Sequence, residues 1–290
     1  MARTKILGSI ALAVVSVSCS SHKYVIVACK NFTEQLILGE IAAQHIEHRL
    51  KQPVYRKFGL GGTLLAQQGL LSQEIDLYPE YTGTGYTNVL KQPPISDSAA
   101  VLNQLRTAYA KWNLEWLDPL GFNNSFALAV RGEDARTRHL ETLSDAARDS
   151  GGFVLGAGYE FMGRPDGYDI LNSAYHIKWV RSPRSMDLGL LYQALAQRQV
   201  SLVAGSVTDG VLSVIDAKVL RDDKRVFPPY QACMVVRSEA LARWPGLREA
   251  LGQLTDKIDD STMRAMNYEV DGKHRQVAEV AKEFLTKRGL

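Results

Sequence analysis

The chain reads as α/β, built in two lobes, each a mainly parallel sheet flanked by helices, with a ligand cleft between them. Three observations predict this. Short apolar runs alternate with helical periodicities from Tyr24 onward. A similar alternation restarts near Phe126. A last apolar run, Pro229 to Val236, follows the second unit and leads into C-terminal helices, so the chain returns to its first lobe. At 290 residues the length exceeds the usual single domain. Hydrophobic residues make up 46% and charged residues 22%, enough for an ordinary core. A net charge of +3 gives no support to nucleic-acid binding, which usually shows a basic face.

Each element follows from its residues. Tyr24 to Cys29 is a short apolar run, hence a buried strand. Asn31 with Glu34 three positions on resembles a capping box. Leu38, Ile41, Ala42, Ile46 and Leu50 then recur at helical spacing, with His45 and His48 read as solvated. Pro53 to Phe58 is a second strand, Gly59 to Gly62 a turn, Thr63 to Ser72 a helix and Ile75 to Tyr78 a third strand. This β-α-β-α-β order implies a parallel sheet with its active loops at the strand C-termini. In the second unit Phe126 to Val130, Phe153 to Ala157, Ala174 to Val180 and Val200 to Ala204 read as strands, and Met186 to Gln197 as a helix. Leu241 to Leu254 and His274 to Leu285 are helical at the end. The expected division is 1–18 a leader, 19–122 the first part of lobe one, 123–227 lobe two, and 228–290 the return to lobe one. Two crossings between lobes make a hinge, and the cleft is the default ligand site.

The leader has a positive start, Arg3 and Lys5, and a short apolar stretch, Ile6 to Val17. It is too short for a spanning helix and reads as an export signal. Ser16-Val17-Ser18-Cys19 resembles a bacterial lipobox, with Ser16 where Leu is usual, so Cys19 is the expected lipid attachment point. Ordinary signal cleavage nearby is the alternative. Either way the protein is exported, to the periplasm or cell surface. Cys29 and Cys233 then remain, to pair in an oxidising compartment or to serve as two small buried thiols.

The segment Ile75 to Tyr86 runs from an apolar strand through Pro79 into a turn rich in tyrosine, threonine and glycine. Tyrosine offers a π face to a cation, and a turn that opens a helix offers N–H groups to an anion. Such a site suits a small zwitterion and needs no metal, cofactor or nucleophile. Gln199 to Gly210 echoes the helix, strand and hydroxyl-rich turn of Glu74 to Gly85 at an offset of 125 positions, with identity too weak for a repeat, and puts Tyr81 and Ser206 at corresponding points. Lys30, at the end of the first strand, is in reach of a carboxylate; taken alone it reads rather as a solvated lysine beside a capped helix. Asn124 and Phe126 share a face, as a polar and an aromatic wall or as a turn residue and a core ring. Arg164 could grip a carboxylate bidentately, or pair with Glu160 on the surface. Phe227-Pro228-Pro229-Tyr230 is stiff and presents Tyr230, as a wall or as a ring on a rigid loop.

Together these motifs resemble the substrate-binding components of ABC importers for glycine betaine, choline and carnitine. The carrying residues are Lys30 to Gln35, Phe58 to Thr63, Ile75 to Thr84, Gly121 to Asn124, Arg164 to Gly167, Thr208 to Gly210, Asp222 to Lys224 and Phe227 to Tyr230. The resemblance runs from about Tyr24 to Leu285 and implies a type II-like periplasmic-binding-protein fold. It implies an aromatic cage for a quaternary ammonium, with Tyr81, Phe126 and Tyr230 as walls and Asn124 as a polar cage residue. Lys30, Gln35, Thr84 and Arg164 would form the polar clamp. It also implies an ABC permease with its ATPase as partners and a membrane tether through Cys19, with no nucleic acid, metal or cofactor. Phe126 stands where Tyr is common, and Ser206 where tight binders often carry Tyr. The ringless Ser206 keeps open another amino-acid-like zwitterion or a bulkier betaine. An exported thiol-dependent hydrolase built on Cys29 is the rival from another class; no paired histidine or nucleophile elbow supports it.

Overall fold

A computed structural model describes residues 23–290; the expected leader and Cys19 lie outside the described residues. Ten strands form two five-stranded sheets. The strands are β1 (Val25–Lys30), β2 (Val54–Leu60), β3 (Leu77–Tyr81), β4 (Leu114–Trp116), β5 (Phe126–Arg131), β6 (Leu155–Ala157), β7 (Arg184–Ser185), β8 (Leu202–Ser206), β9 (Ala217–Val219) and β10 (Ala232–Arg237). The first sheet has the order β2-β1-β3-β10-β4 and the second β7-β6-β8-β5-β9. Helices α1 (Thr33–Leu50) and α2 (Thr63–Leu71) follow β1 and β2.

Each sheet is mainly parallel, with four of its five strands running one way. In each, three strands run parallel and the fourth position holds an antiparallel strand, β10 in the first and β5 in the second. Both are the strands that arrive from the other lobe. A chain entering from the hinge starts at the cleft end, where the parallel strands finish, and so runs the opposite way.

The two crossings, residues 117–125 and 220–231, lie side by side. Asn123 and Gln231 form an antiparallel bridge. The Asn124 N–H donates to the Tyr230 carbonyl at 3.0 Å, and the Tyr230 N–H to Asn123 Oδ1 at 2.6 Å. The Thr82 N–H donates to the Gln231 carbonyl at 3.0 Å, which ties the turn after β3 to the same seam. Strand β1 is buried at every position, as its unbroken apolar run requires. Pro79 lies in β3 opposite Met234 of β10, and the paired register of β1 with β3 is Val27 with Leu77. A proline cannot donate to a ladder. The β1–β3 ladder therefore stops before the strands do, and their C-terminal ends splay where Lys30 and Glu80 meet.

Several elements differ from expectation. The capping box does not form: Phe32 occupies the N-cap position of α1 without a side-chain bond, and Glu34 turns inward instead. Ala174 to Val180 is not a strand; Tyr168–Tyr175 is helical and only Trp179 bridges, to Phe153. The apolar spacing there serves a helix face with Leu171 and Tyr175 buried. A helix Asp260–Asp271 precedes the last one and went unread, because its sequence is mostly polar. His45 is buried, not solvated, and meets Gln253 at 3.1 Å. The cause is tertiary: the helices Leu247–Gly252 and Val277–Arg288 return to cover α1.

Cys29 on β1 and Cys233 on β10 are free and buried. Strand β3 lies between their strands. Two strand spacings are about 9.5 Å, beyond the reach of about 4.4–6.8 Å between disulfide Cα atoms. Burial also pushes the Cys29 thiol up to about 12, far from a nucleophile's range. The folded protein should therefore give two free thiols that react with a thiol reagent only after denaturation. Fast labelling of one thiol in the native state would contradict this packing.

Candidate functional site

The C-terminal ends of β1, β3 and β8, the hinge crossings and the loop after β6 converge on one seam between the lobes. Tyr81 and Ser206 are the last residues of β3 and β8, as their matched positions anticipate. Both reach Asn124. Its Nδ2 donates to Glu34 at 2.7 Å, and its Oδ1 accepts the Ser206 hydroxyl. Ser206 Oγ also lies 2.9 Å from Thr208 Oγ1.

Glu34 is the residue that the sequence reading placed only as a helix cap. Its carboxylate accepts the Tyr81 hydroxyl at 2.6 Å, Asn124 Nδ2 at 2.7 Å and Asn267 Nδ2 at 3.1 Å, with the Thr208 hydroxyl as a fourth donor. Burial raises its pKa above the usual carboxylate range, against the pull of those donors. The Tyr81 phenol is driven up as well, by burial and then by the Glu34 charge. Asp209 adds a second buried carboxylate nearby. It accepts the Ser206 N–H and the Tyr192 hydroxyl, each at 2.7 Å, and burial pushes it up to about 6.

The two expected clamp cations come with carboxylates of their own. Lys30 Nζ pairs with Glu80 at 2.7 Å, and Thr63 lies between them with bonds of 3.2 and 3.0 Å. Arg164 holds Asp166, not Glu160, in a fork of 2.8 and 2.6 Å. That pair also joins the lobes. Arg164 Nη2 donates to Thr84 Oγ1 at 3.1 Å, while the Thr87 and Tyr230 hydroxyls donate to Asp166 at 2.7 Å each. Burial alone would raise Asp166, but the Arg164 hydrogen bonds and charge win and hold it below its ordinary value. Gln35 accepts the Lys30 N–H at 3.2 Å, and its side chain lies beside the Tyr81 hydroxyl.

The rings face these cations. Lys30 Nζ stands 4.8 Å from the Tyr81 ring centroid and 5.8 Å from that of Phe32. The Arg164 guanidinium lies 5.5 Å from the Phe126 ring and 5.8 Å from the Tyr230 ring. Phe126 meets Tyr230 and Phe227 edge-on at 5.3 Å and Phe161 at 4.9 Å. The expected site residues thus fall into two groups, Lys30, Gln35, Tyr81, Asn124 and Ser206 around Glu34, and Thr84, Phe126, Arg164 and Tyr230 around Asp166. Among the described residues no cluster of metal-ligating side chains occurs.

Residues 23–287 match the family described as the substrate binding domain of ABC-type glycine betaine transport systems. The chain belongs to this family. It is a substrate-binding component of the kind that serves osmoprotectant ABC importers. A glycine-betaine-binding protein of Pseudomonas aeruginosa is 36% identical over 271 residues, which cover 90% of this chain and 86% of the relative. An ergothioneine transport permease/ergothioneine binding protein of Helicobacter pylori is 38% identical over 272 residues, 93% of this chain. The chain spans about half of that relative's length, 48%. A crystal structure of a glycine betaine/carnitine/choline ABC transporter superposes with a TM-score of 0.78 at 34% identity, covering 91% of this chain and 98% of the other. Family membership accounts for the two-sheet architecture. No helix among the described residues is long and apolar enough to cross a membrane.

Gly83 sets how closely the hinge packs on β3. A Cβ there would stand 2.6 Å from Tyr230 Cδ1 and 2.8 Å from the Pro229 carbonyl oxygen. Gly83→Ala should therefore push Tyr230 off the seam and cost about 1–3 kcal/mol in urea denaturation, the usual range for overpacking. An unchanged midpoint would mean that the hinge yields freely and that Tyr230 is not held by this contact.

Proposed function

We propose that the protein binds one small quaternary-ammonium compound between its lobes, with the cation against Tyr81, Phe126 and Tyr230, and hands it to an ABC permease. The observation that carries this reading is that these rings already face cations, Lys30 on one side and Arg164 on the other. Rings that attract a lysine or guanidinium attract a trimethylammonium group by the same quadrupole, worth about 0.5–2 kcal/mol per ring. The glycine-betaine and choline names of relatives agree with that chemistry.

Asn124, Gln35 and Thr84 orient the ligand in this reading. Lys30 and Arg164 serve a ligand carboxylate only by sharing themselves with Glu80 and Asp166. The carboxylate clamp is therefore weaker than the bare residues suggest, and choline, which has no carboxylate, joins glycine betaine as a first candidate. A larger quaternary-ammonium zwitterion is the second reading. Ser206 brings no ring to the seam, and a relative at 38% identity is named for ergothioneine. Export and a lipid on Cys19 remain part of the proposal, on the strength of residues 1–19. No step of this role is a covalent reaction, and the buried Cys29 gives a hydrolase no nucleophile.

A thermal-shift and calorimetry panel of choline, glycine betaine, carnitine, ergothioneine and free amino acids tests this. At least one quaternary-ammonium ligand should raise the melting temperature, and Tyr81→Ala should weaken it about tenfold or more. Ser206→Tyr should tighten the smaller ligands and weaken the larger ones. A shift by free amino acids alone would refute the reading.

A further inference from the structure

Glu34, like Asp209, has no ion-pair partner among the described residues, and of the two it is the one bonded to the Tyr81 hydroxyl. The other carboxylates beside the rings, Glu80 and Asp166, are each ion-paired with Lys30 and Arg164. Among the described residues no lysine, arginine or histidine pairs with Glu34, which is 3% exposed. A buried carboxylate without a cation is costly unless something else compensates it. Four donors compensate it in part, and they come from across the molecule: Tyr81 from β3, Asn124 from a hinge crossing, Asn267 from the helix Asp260–Asp271 and Thr208 from the turn after β8.

Those donors also have a chemical consequence. A carboxylate offers about four acceptor positions, and here protein groups take them. Glu34 is therefore a poor acceptor for any further N–H. Those donors favour its ionised form, with the charge beside the hydroxyl of Tyr81, whose ring faces the cation side of the seam. The arrangement attracts a positive group through charge while offering it no hydrogen bond. A quaternary ammonium fits that demand, since it carries charge and has no N–H. A primary, secondary or tertiary ammonium of the same charge brings N–H groups that would be buried without an acceptor.

We infer that Glu34 is a specificity-determining residue: it supplies the counter-charge for the ligand's cation and, with its acceptor positions already filled, favours fully methylated ammonium over ammonium that bears N–H. This rests on the proposed quaternary-ammonium reading of the same cleft. It adds a residue that the aromatic walls alone do not require and a rule about methylation that ring stacking alone does not give.

The charge also makes binding depend on pH. The titratable groups around Glu34 are the Tyr81 phenol on β3, Asp209 after β8, Asp271 at the end of its helix, and Lys30 at the end of β1, which is held by Glu80. A cation binds better to the ionised carboxylate. Affinity should therefore fall as pH is lowered through the raised Glu34 titration. Asp209, up to about 6, titrates in the same direction, so the comparison that isolates Glu34 is between the parent and Glu34→Gln.

The experiment is calorimetry of the full chain with choline, glycine betaine and dimethylglycine, for the parent, Glu34→Gln and Glu34→Asp, at several pH values, with unliganded melting temperatures beside it. The parent should bind glycine betaine about tenfold or more tightly than dimethylglycine, the scale of one buried unsatisfied N–H. Glu34→Gln should lose about tenfold or more in choline affinity, with a flatter pH profile; its amide offers one acceptor oxygen where the carboxylate offered two, so the unliganded melting temperature is read beside the affinity. Glu34→Asp should recover part of the loss. Choline binding unchanged in Glu34→Gln, or dimethylglycine bound as tightly as glycine betaine by the parent, overturns the inference and leaves the ligand class standing. A parent that binds no quaternary ammonium overturns both. If Glu34→Gln melts far lower, Glu34→Asp decides: equal affinity loss in a stable Glu34→Asp protein with an unaltered pH slope would reduce Glu34 to a structural role and overturn the assignment.

Discussion

The seam between the two chain crossings governs everything built above it. Residues 117–125 and 220–231 run antiparallel and join at Asn123 and Gln231. Because they are paired, the strands that leave them, β5 and β10, enter the two sheets together and in the antiparallel sense. That brings the C-terminal ends of β3 and β8 to opposite sides of one line, with Asn124 between them. Two crossings also limit relative motion of the lobes to bending about that line. The same backbone that sets the fold therefore sets the span of the site, and Tyr230, whose N–H is fixed to Asn123 at 2.6 Å, belongs to both.

Much of this was legible in the residues. The doubled strand-helix alternation, the return strand and the matched positions of Tyr81 and Ser206 come from local apolar patterning, which survives folding because the central strands of both sheets are buried. The side chains that gather at the seam were also named from the residues: Tyr81 at the end of β3, Phe126 at the start of β5 and Tyr230 just before β10. What was not legible depends on distant chain. Glu34 carries a local pattern that suits a cap, yet Tyr81, Asn124 and Asn267, 47, 90 and 233 residues away, draw it inward. Asn267 sits among Met263 and Met266 on the buried face of a mostly polar helix, and nothing near it in sequence points to Glu34. His45 looked solvated because nothing near it in sequence shows that two later helices cover α1. Ala174 to Val180 has strand-like composition, and the neighbouring helix decided its conformation.

The ion pairs of the cleft change what its residue list suggests. Lysine and arginine near a zwitterion invite the reading of a carboxylate clamp. Here each cation is answered by a carboxylate at hydrogen-bond distance, so both pairs are nearly neutral as units. They act mainly as stiff walls and as links between lobes, with Asp166 accepting from Thr87 across the seam. Among the described residues the cleft carboxylates left without a cation are Glu34 and Asp209. A cation is the species that such a cleft lacks, and aromatic rings are the surface that accepts a cation without requiring an N–H.

A crystal structure of the protein with a bound quaternary-ammonium ligand tests this account most directly. The account predicts the methyl carbons of the ammonium against the rings of Tyr81, Phe126 and Tyr230, within the roughly 6 Å of a ring centroid that marks a cation–π contact, on the side nearest Glu34. A ligand seated outside the seam, or with its ammonium away from all three rings, would contradict it.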